Sequence, residues 1–491
     1  MIILLNPRSA RWKHRLPLSV LSIGAVLEGQ YPYSIIDGNL ESDVRGVLIR
    51  TIRQEKAQYL AVTVMPGPQL VAAIQLSREM KELFPTLTVI WGGYFASLHT
   101  DVVLQSGFVD YVVRGRGETT FPALIRSLEE GRAVDAIAGL SYMRDSVARH
   151  NPPTADVDPN RLPPIPYSRV DVERYLPKTV LGSRTIVYHS SFGCPFLCGF
   201  CAVASVYKGA WMGRDAARIV QDVIQLRDRY RINAVEFMDN NFFVSERRTA
   251  DIAAGLAGQQ IAWWGEARPD TVMHYSDATW QLMAESGCKM MFFGVESSSN
   301  ETLALMEKGG TQTAEMVLDL AVRMKRFGII PEFSFVLGAP SDDVAADVER
   351  DIRYIRRIKE VNSASEIIIY VYSPVSFDDA ALLRRARGFG FEFPQKLTDW
   401  LDEKWENFDL RKNPRTPWLQ PSHVARILDF ERVLNARYPT ISDIKLKPWQ
   451  TVALKALGSW RYFTRFYRAP WEIRFVANRL FRYQQPETEG F

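Results

Sequence analysis

Cysteine is scarce, with four residues in 491. So few thiols rule out a disulfide framework and fit a reducing compartment. Charge of one sign is lacking too: the formal net charge is +4, too small to argue for a nucleic-acid partner. No run of about eighteen apolar residues occurs, the length a membrane-spanning helix needs. The apolar start Met1–Asn6 runs straight into Pro7 and basic residues, too short for the core of a secretion signal. These absences make a cytoplasmic protein the expectation. What remains is ordinary for globular chains, 47% hydrophobic and 24% charged, and long enough for two or three domains with proper cores.

The cysteines that are present cluster. Cys194, Cys198 and Cys201 fall within eight positions, just after a predicted strand over Thr185–His189. A Cys-x3-Cys-x2-Cys loop turns three soft thiolates toward one point, which suits an iron–sulfur cluster or zinc. A closed site needs a fourth protein ligand. Cys288 is set among apolar residues and reads as an inward-facing strand residue, a small buried hydrophobe. One metal position is then open to a small molecule; the alternative is a zinc knuckle completed by His189 or Cys288.

Residues 1–135 alternate short apolar strands with amphipathic helices, the pattern of a doubly wound parallel sheet of Rossmann or flavodoxin-like type. Strands are expected at Ile2–Leu5, Tyr33–Ile36, Tyr59–Val64, Thr86–Trp91 and Tyr111–Arg114. Such sheets bind ligands beyond the carboxyl ends of their strands. There lie Asn6-Pro7-Arg8, Met65-Pro66-Gly67-Pro68-Gln69, Gly92-Gly93-Tyr94 and Gly115-Arg116-Gly117-Glu118. Residues 136–183, with six prolines between Pro152 and Pro166, read as a linker. From 184 to 387 six βα units restart, predicting a partial (β/α)6 barrel whose working face is the carboxyl end of its strands. Asp239, Asn240, Glu266, Arg268, Glu296, Ser297, Gly338 and Tyr372 fall at that end, with the cysteine loop.

The remainder, 388–491, is expected to be mainly helical. It is rich in aromatics, and from Ile441 to Phe491 nine Lys and Arg face four Asp and Glu. Apolar and basic residues interleaved at near-helical spacing fit an anionic membrane surface. They also fit a cap whose aromatics cover the barrel mouth, or the wall of a substrate pocket.

The segment CPFLCGFC resembles the signature loop of radical S-adenosylmethionine (SAM) enzymes. The resemblance implies that Cys194, Cys198 and Cys201 hold three irons of a 4Fe-4S cluster whose fourth iron takes SAM. It implies SAM contacts for Asp239 and Asn240 at the amino group, for Glu296 and Ser297 at the ribose and methionine, and for Gly338 and Tyr372 beside the adenine. Arg268 is expected either to pair with a ligand carboxylate or to form a surface salt bridge. In the first domain VTVMPGPQ with Thr63, the Gly92-Gly93 pair, and GRGETTF with Gly115, Gly117 and Glu118 are similar to the cobalamin-binding domain fused ahead of many such enzymes. One departure stands out: the DxHxxG motif that gives cobalt a histidine would follow the first strand, where this chain reads Asn6-Pro7-Arg8-Ser9-Ala10-Arg11. His14 and His99 read as surface histidines.

The function implied is a cobalamin-dependent radical SAM methyltransferase. Reductive cleavage of SAM yields a 5′-deoxyadenosyl radical, and a methyl group passes to an unactivated carbon. The substrate is expected to be a small or lipid-like molecule, and the electron to come from a flavodoxin or ferredoxin type of reductant. Two alternatives are a cyclase or rearrangement enzyme, like the anaerobic magnesium-protoporphyrin ester cyclases, and a cobalamin or iron–sulfur sensor.

Overall fold

The computed structural model describes residues 1–9, 14–155, 157–406, 408, 416–440 and 446–483. Its first sheet places β1 (Ile2–Asn6) between β2 (Tyr33–Asp37) and β3 (Tyr59–Thr63), and continues through β4 (Thr88–Gly92) and β5 (Tyr111–Val113), all parallel. The run Ile2–Asn6 is buried throughout, as a central strand covered by helices on both faces must be. The register pairs Asn6 with Asp37 and Thr63 with Gly92, so polar and glycine residues collect at one edge. A helix forms at Val44–Glu55, where the Asp43 carboxylate accepts from the Gly46 amide at 2.8 Å and caps it.

The sheet then extends where the sequence reading placed a linker. β6 (Leu140–Arg144) and β7 (Val147–His150) form an antiparallel hairpin on β5. Its turn, Asp145-Ser146, has both residues at positive φ, the mirror-image geometry that usually calls for glycine or asparagine.

The second sheet is the partial barrel. β8 (Thr185–Tyr188) is followed by a small hairpin of β9 (Ser191–Gly193) and β10 (Trp211–Gly213) that carries the cysteine loop. The sheet continues through β11 (Ala234–Phe237), β12 (Ala262–Ala267), β13 (Cys288–Glu296), β14 (Ile330–Leu337) and β15 (Glu366–Val371), every pair parallel. Register shifts between Gly294 and Glu296, where Glu296 takes a φ of 69°. Holding a non-glycine residue there costs about 1–3 kcal/mol and is characteristic of functional turns.

One apolar core runs from the barrel into the C-terminal helices Pro421–Arg437 and Pro448–Thr464, which pack as a hairpin. Gly458 permits the close approach, since a Cβ there would lie 2.6 Å from the Arg437 amide. No helix among the described residues is long and apolar enough to cross a membrane.

Candidate active site

Between the carboxyl edge of the first sheet and the barrel lies a cavity of about 1840 Å³. Thr63, Gly92, Gly93, Gly115, Gly117 and Glu118 all line it, so the residues singled out on four separate loops of the first domain come together. Opposite them stand His189, Ser191, Phe192, Tyr207 and Asn240 of the barrel. Gly93 has a φ of 93°, and a Cβ there would meet the Val64 oxygen at 2.8 Å and its nitrogen at 2.9 Å. Gly93→Ala is therefore expected to cost about 1–3 kcal/mol of stability, read from a urea titration.

Glu118 is fixed firmly. Burial alone would raise its pKa, but the Arg116 guanidinium at 3.0 Å outweighs this and holds the carboxyl below its usual range, with Ser22 Oγ donating at 2.9 Å. The Arg116 guanidinium also lies 3.8 Å from the Phe192 ring centroid. That stack joins the GRGE turn to the hairpin carrying the cysteines.

The cysteine loop is anchored from beneath. Asp239 accepts from the Ser190 amide at 2.6 Å, from Ser191 Oγ at 2.7 Å and from Ser190 Oγ. The Gly199 amide donates to the Met306 carbonyl at 3.0 Å, and the Cys201 amide to the Cys198 carbonyl at 3.1 Å. Two donors reach the sulfurs: Arg268 Nη1 at 3.3 Å from Cys198 Sγ, and Asn241 Nδ2 at 3.7 Å from Cys194 Sγ. Burial pushes the Cys201 thiol up to about 11, with Cys198 and Cys194 near enough to add to it. Burial also raises Cys198, against the pull of Lys308 and Arg268.

Among the described residues, no group of three His, Cys, Asp or Glu side chains is set to hold a single metal ion. Three neighbouring thiols on one loop, with N–H donors aimed at two of them, do suit a polynuclear iron–sulfur centre, where each cysteine takes its own iron. Cys288 is buried in the barrel core, as expected.

Several residues expected to contact a ligand are occupied otherwise. Asp239 is turned under the cysteine loop, away from the cavity, because two adjacent serines compete for its carboxylate. Ser297 Oγ lies 3.2 Å from Asp351. Glu296 is buried and ion-paired with Lys308 at 3.2 Å. Gly338 is covered from the C-terminal region: its carbonyl accepts from Trp418 Nε1 at 3.0 Å, and Leu419 lies over its Cα. Tyr372 is buried beside Trp418. Arg268 forms no surface salt bridge but a buried two-point ion pair with Asp270, at 3.0 and 2.7 Å. Of the residues expected at SAM, only Asn240 lines the cavity itself.

Other residues of the site went unpredicted. Asn241, Lys308 and Tyr207 carry no motif, and Tyr94 follows the Gly92-Gly93 pair without a pattern of its own. Tyr94 is half-buried between the two domains near Tyr207, Asn240 and Cys201, and desolvation first of all drives its phenol pKa well up.

Family comparison gives the arrangement its context. Residues 16–125 match the B12 binding domain and residues 188–355 the Radical SAM superfamily. The chain is a radical SAM protein with a B12-binding domain. An uncharacterized methyltransferase of Pyrococcus horikoshii is 27% identical over 346 residues, covering 70% of this chain and 73% of its own length. An anaerobic magnesium-protoporphyrin IX monomethyl ester cyclase of Synechocystis is 22% identical, covering 64% of each chain. In fold, the radical S-adenosylmethionine methyltransferase TsrM from Kitasatospora setae, with tryptophan substrate and a SAM analogue bound, matches with a TM-score of 0.68 at 17% identity, over 98% of this chain and 99% of that one. The cobalamin-dependent S-adenosylmethionine radical enzyme OxsB, with aqua-cobalamin and S-adenosylmethionine bound, gives 0.69 at 15%, over 98% and 75%.

In the B12-binding domain the loop after β1 still differs from the usual motif, and its Ala10 and Arg11 lie outside the described residues. Neither histidine is a simple surface residue. His14 lines the cavity, and among the described residues its buried Nδ1 has no partner. His99 packs among Phe95, Trp400 and Phe393, and burial lowers its pKa to about 4.

The radical SAM domain has an acidic floor. Glu332, on the cavity wall, is pushed up to about 7 by burial, with Glu366 and Glu236 adding and the Trp264 N–H at 3.0 Å opposing. The folded state thus binds a proton more tightly than the unfolded chain. The contribution is full below about pH 4.5 and is lost as pH rises toward 7. Glu332→Gln is expected to flatten that slope in denaturation midpoints measured from pH 5 to 8.

Proposed function

We propose that this protein is a cobalamin-dependent radical SAM methyltransferase. The observation that carries the reading is the shared cavity, walled on one side by Gly92, Gly93 and Gly115–Glu118 and on the other by Asn240 and the hairpin that carries the thiols. Support also comes from the two family matches and from methyltransferases among the relatives.

Cys194, Cys198 and Cys201 would hold a 4Fe-4S cluster, with Arg268 and Asn241 donating to two of their sulfurs. Thr63, Gly92, Gly93, Gly115, Gly117 and Glu118 would seat cobalamin; a Cβ on Gly93 would meet the Val64 backbone, so glycine there is what lets the turn beside the cavity close. Asn240 can accept from, or donate to, the SAM amino acid portion at the cavity. Asp239, Ser297, Gly338 and Tyr372 would act at one remove, by fixing the loops around SAM, and Glu296 with Lys308 by holding the β13 turn. When bound, the cluster with SAM supplies a radical able to take hydrogen from carbon, and cobalamin supplies the methyl group. The protein's part is to bring the two reagents to one water-poor space, with an external one-electron reductant and a small-molecule substrate as partners.

A second reading, ring closure without methyl transfer, is favoured only by the similarity to the magnesium-protoporphyrin cyclase. Product mass distinguishes them. Protein reconstituted with cluster and cobalamin, given reductant, a small-molecule methyl acceptor and SAM labelled in its methyl group, should give 5′-deoxyadenosine and an acceptor that carries the label. 5′-Deoxyadenosine with an unlabelled, cyclised product would favour the second reading, and neither product would count against both.

A further inference from the structure

The C-terminal helices divide their aromatic residues between two environments. Phe391, Trp400, Phe408 and Trp418 are buried against the two domains. Beyond residue 446 the pattern inverts. Of the fourteen large apolar side chains exposed among the described residues, eight lie between Trp449 and Leu480, at 47% to 71% exposure. In the helix Pro448–Thr464, the residues Trp449, Val452, Trp460 and Phe463 recur at helical spacing along its outer side, while Leu454, Gly458, Arg461 and Tyr462 face inward. Trp471 and Phe475 of the following turns extend the same exposed set. With large aromatics presenting ~150–250 Å² each, the six aromatics among the eight, a little over half exposed, add up to on the order of 700 Å². Monomeric proteins usually show largest patches of about 300–600 Å².

Charge selects the occupant. From Lys447 to Arg482 there are eight Lys and Arg and one acidic residue, Glu472, which is bound to Arg461. Lys447, Lys455, Arg465, Arg468, Arg479 and Arg482 are exposed around the aromatics. A second copy of the chain would bring this net positive face against itself. An anionic bilayer matches it: basic side chains reach the headgroups, tryptophans sit at the interface, and the helix lies flat with its apolar side in the acyl boundary.

We infer that the face formed by Trp449–Leu480 docks the protein on an anionic phospholipid bilayer as a peripheral contact. The inference is independent of the proposed reaction, because binding needs neither cofactor nor turnover.

Flotation of the full-length protein tests it, with vesicles of phosphatidylcholine alone or mixed equally with phosphatidylglycerol. The expected result is flotation with the mixed vesicles at least about tenfold above the neutral ones, weakened by high salt, together with a blue shift of tryptophan emission. A double substitution, Trp460→Gln with Phe463→Gln, should cut flotation about tenfold or more; Trp471→Gln gives an independent second variant. Near-ultraviolet circular dichroism checks that each variant keeps the fold. Failure to float with mixed vesicles would overturn the inference, as would flotation that ignores the aromatic substitutions. So would a dimer in lipid-free sedimentation that those substitutions dissociate.

Discussion

Cys198→Ser is expected to bring the iron content of anaerobically reconstituted protein close to background and to abolish 5′-deoxyadenosine formation, while cobalamin is still retained. Serine occupies nearly the volume of cysteine, and Cys198 is buried, so the loop should keep its path. What is lost is a soft thiolate at the centre of the motif, with its Arg268 donor 3.3 Å away. Two remaining thiols cannot complete a three-cysteine site. Retained cobalamin matters as a control, because the Gly92-Gly93 and Gly115–Glu118 turns lie on the other side of the cavity. Loss of both cofactors together would indicate a folding defect. Iron retained at wild-type level, with turnover, would refute the role given to the loop.

Arg268→Met is expected to destabilise the barrel strongly. The substitution removes a two-point ion pair to Asp270, in which both side chains are at most 7% exposed. It also removes a donor to the Lys308 carbonyl at 2.5 Å and the cation stacked 3.8 Å from the Phe196 ring centroid. Breaking a buried pair from one side leaves an uncompensated charge and costs about 3–5 kcal/mol. Asp270 would keep only its neighbouring donors, such as Thr311, and its pKa should rise toward the ordinary range. Arg268→Lys restores charge without the planar fork and should recover only part of the loss. Urea midpoints of the three proteins give the comparison, and a change below about 1 kcal/mol would show that the pair contributes little.

Much of the architecture was legible because parallel strands buried on both faces must be short, apolar and followed by polar turns. The expected strands of the first sheet appear within a residue or two, the six parallel strands of the partial barrel form, and the loops beyond the first sheet converge as the carboxyl-end rule requires. Roles were less legible. Asp239 and Asn240 are adjacent in the same loop, yet one is drawn under the cysteines by Ser190 and Ser191 and the other faces the cavity. No local pattern separates them, because the competing donors lie some fifty residues earlier in the chain. Arg116 stacking on Phe192 and Trp418 covering Gly338 are likewise contacts between domains. The C-terminal aromatics were visible as composition, but which turned inward and which outward depended on the hairpin that Gly458 allows.

Three cysteines on one loop leave one iron of a four-iron cluster without a protein ligand. Electron paramagnetic resonance of the reduced, reconstituted protein with and without SAM tests this directly. A reduced four-iron signal that changes when SAM is added is the predicted result, since SAM would fill the open iron. A signal indifferent to SAM, or protein whose three cysteines hold zinc after anaerobic isolation, would contradict it.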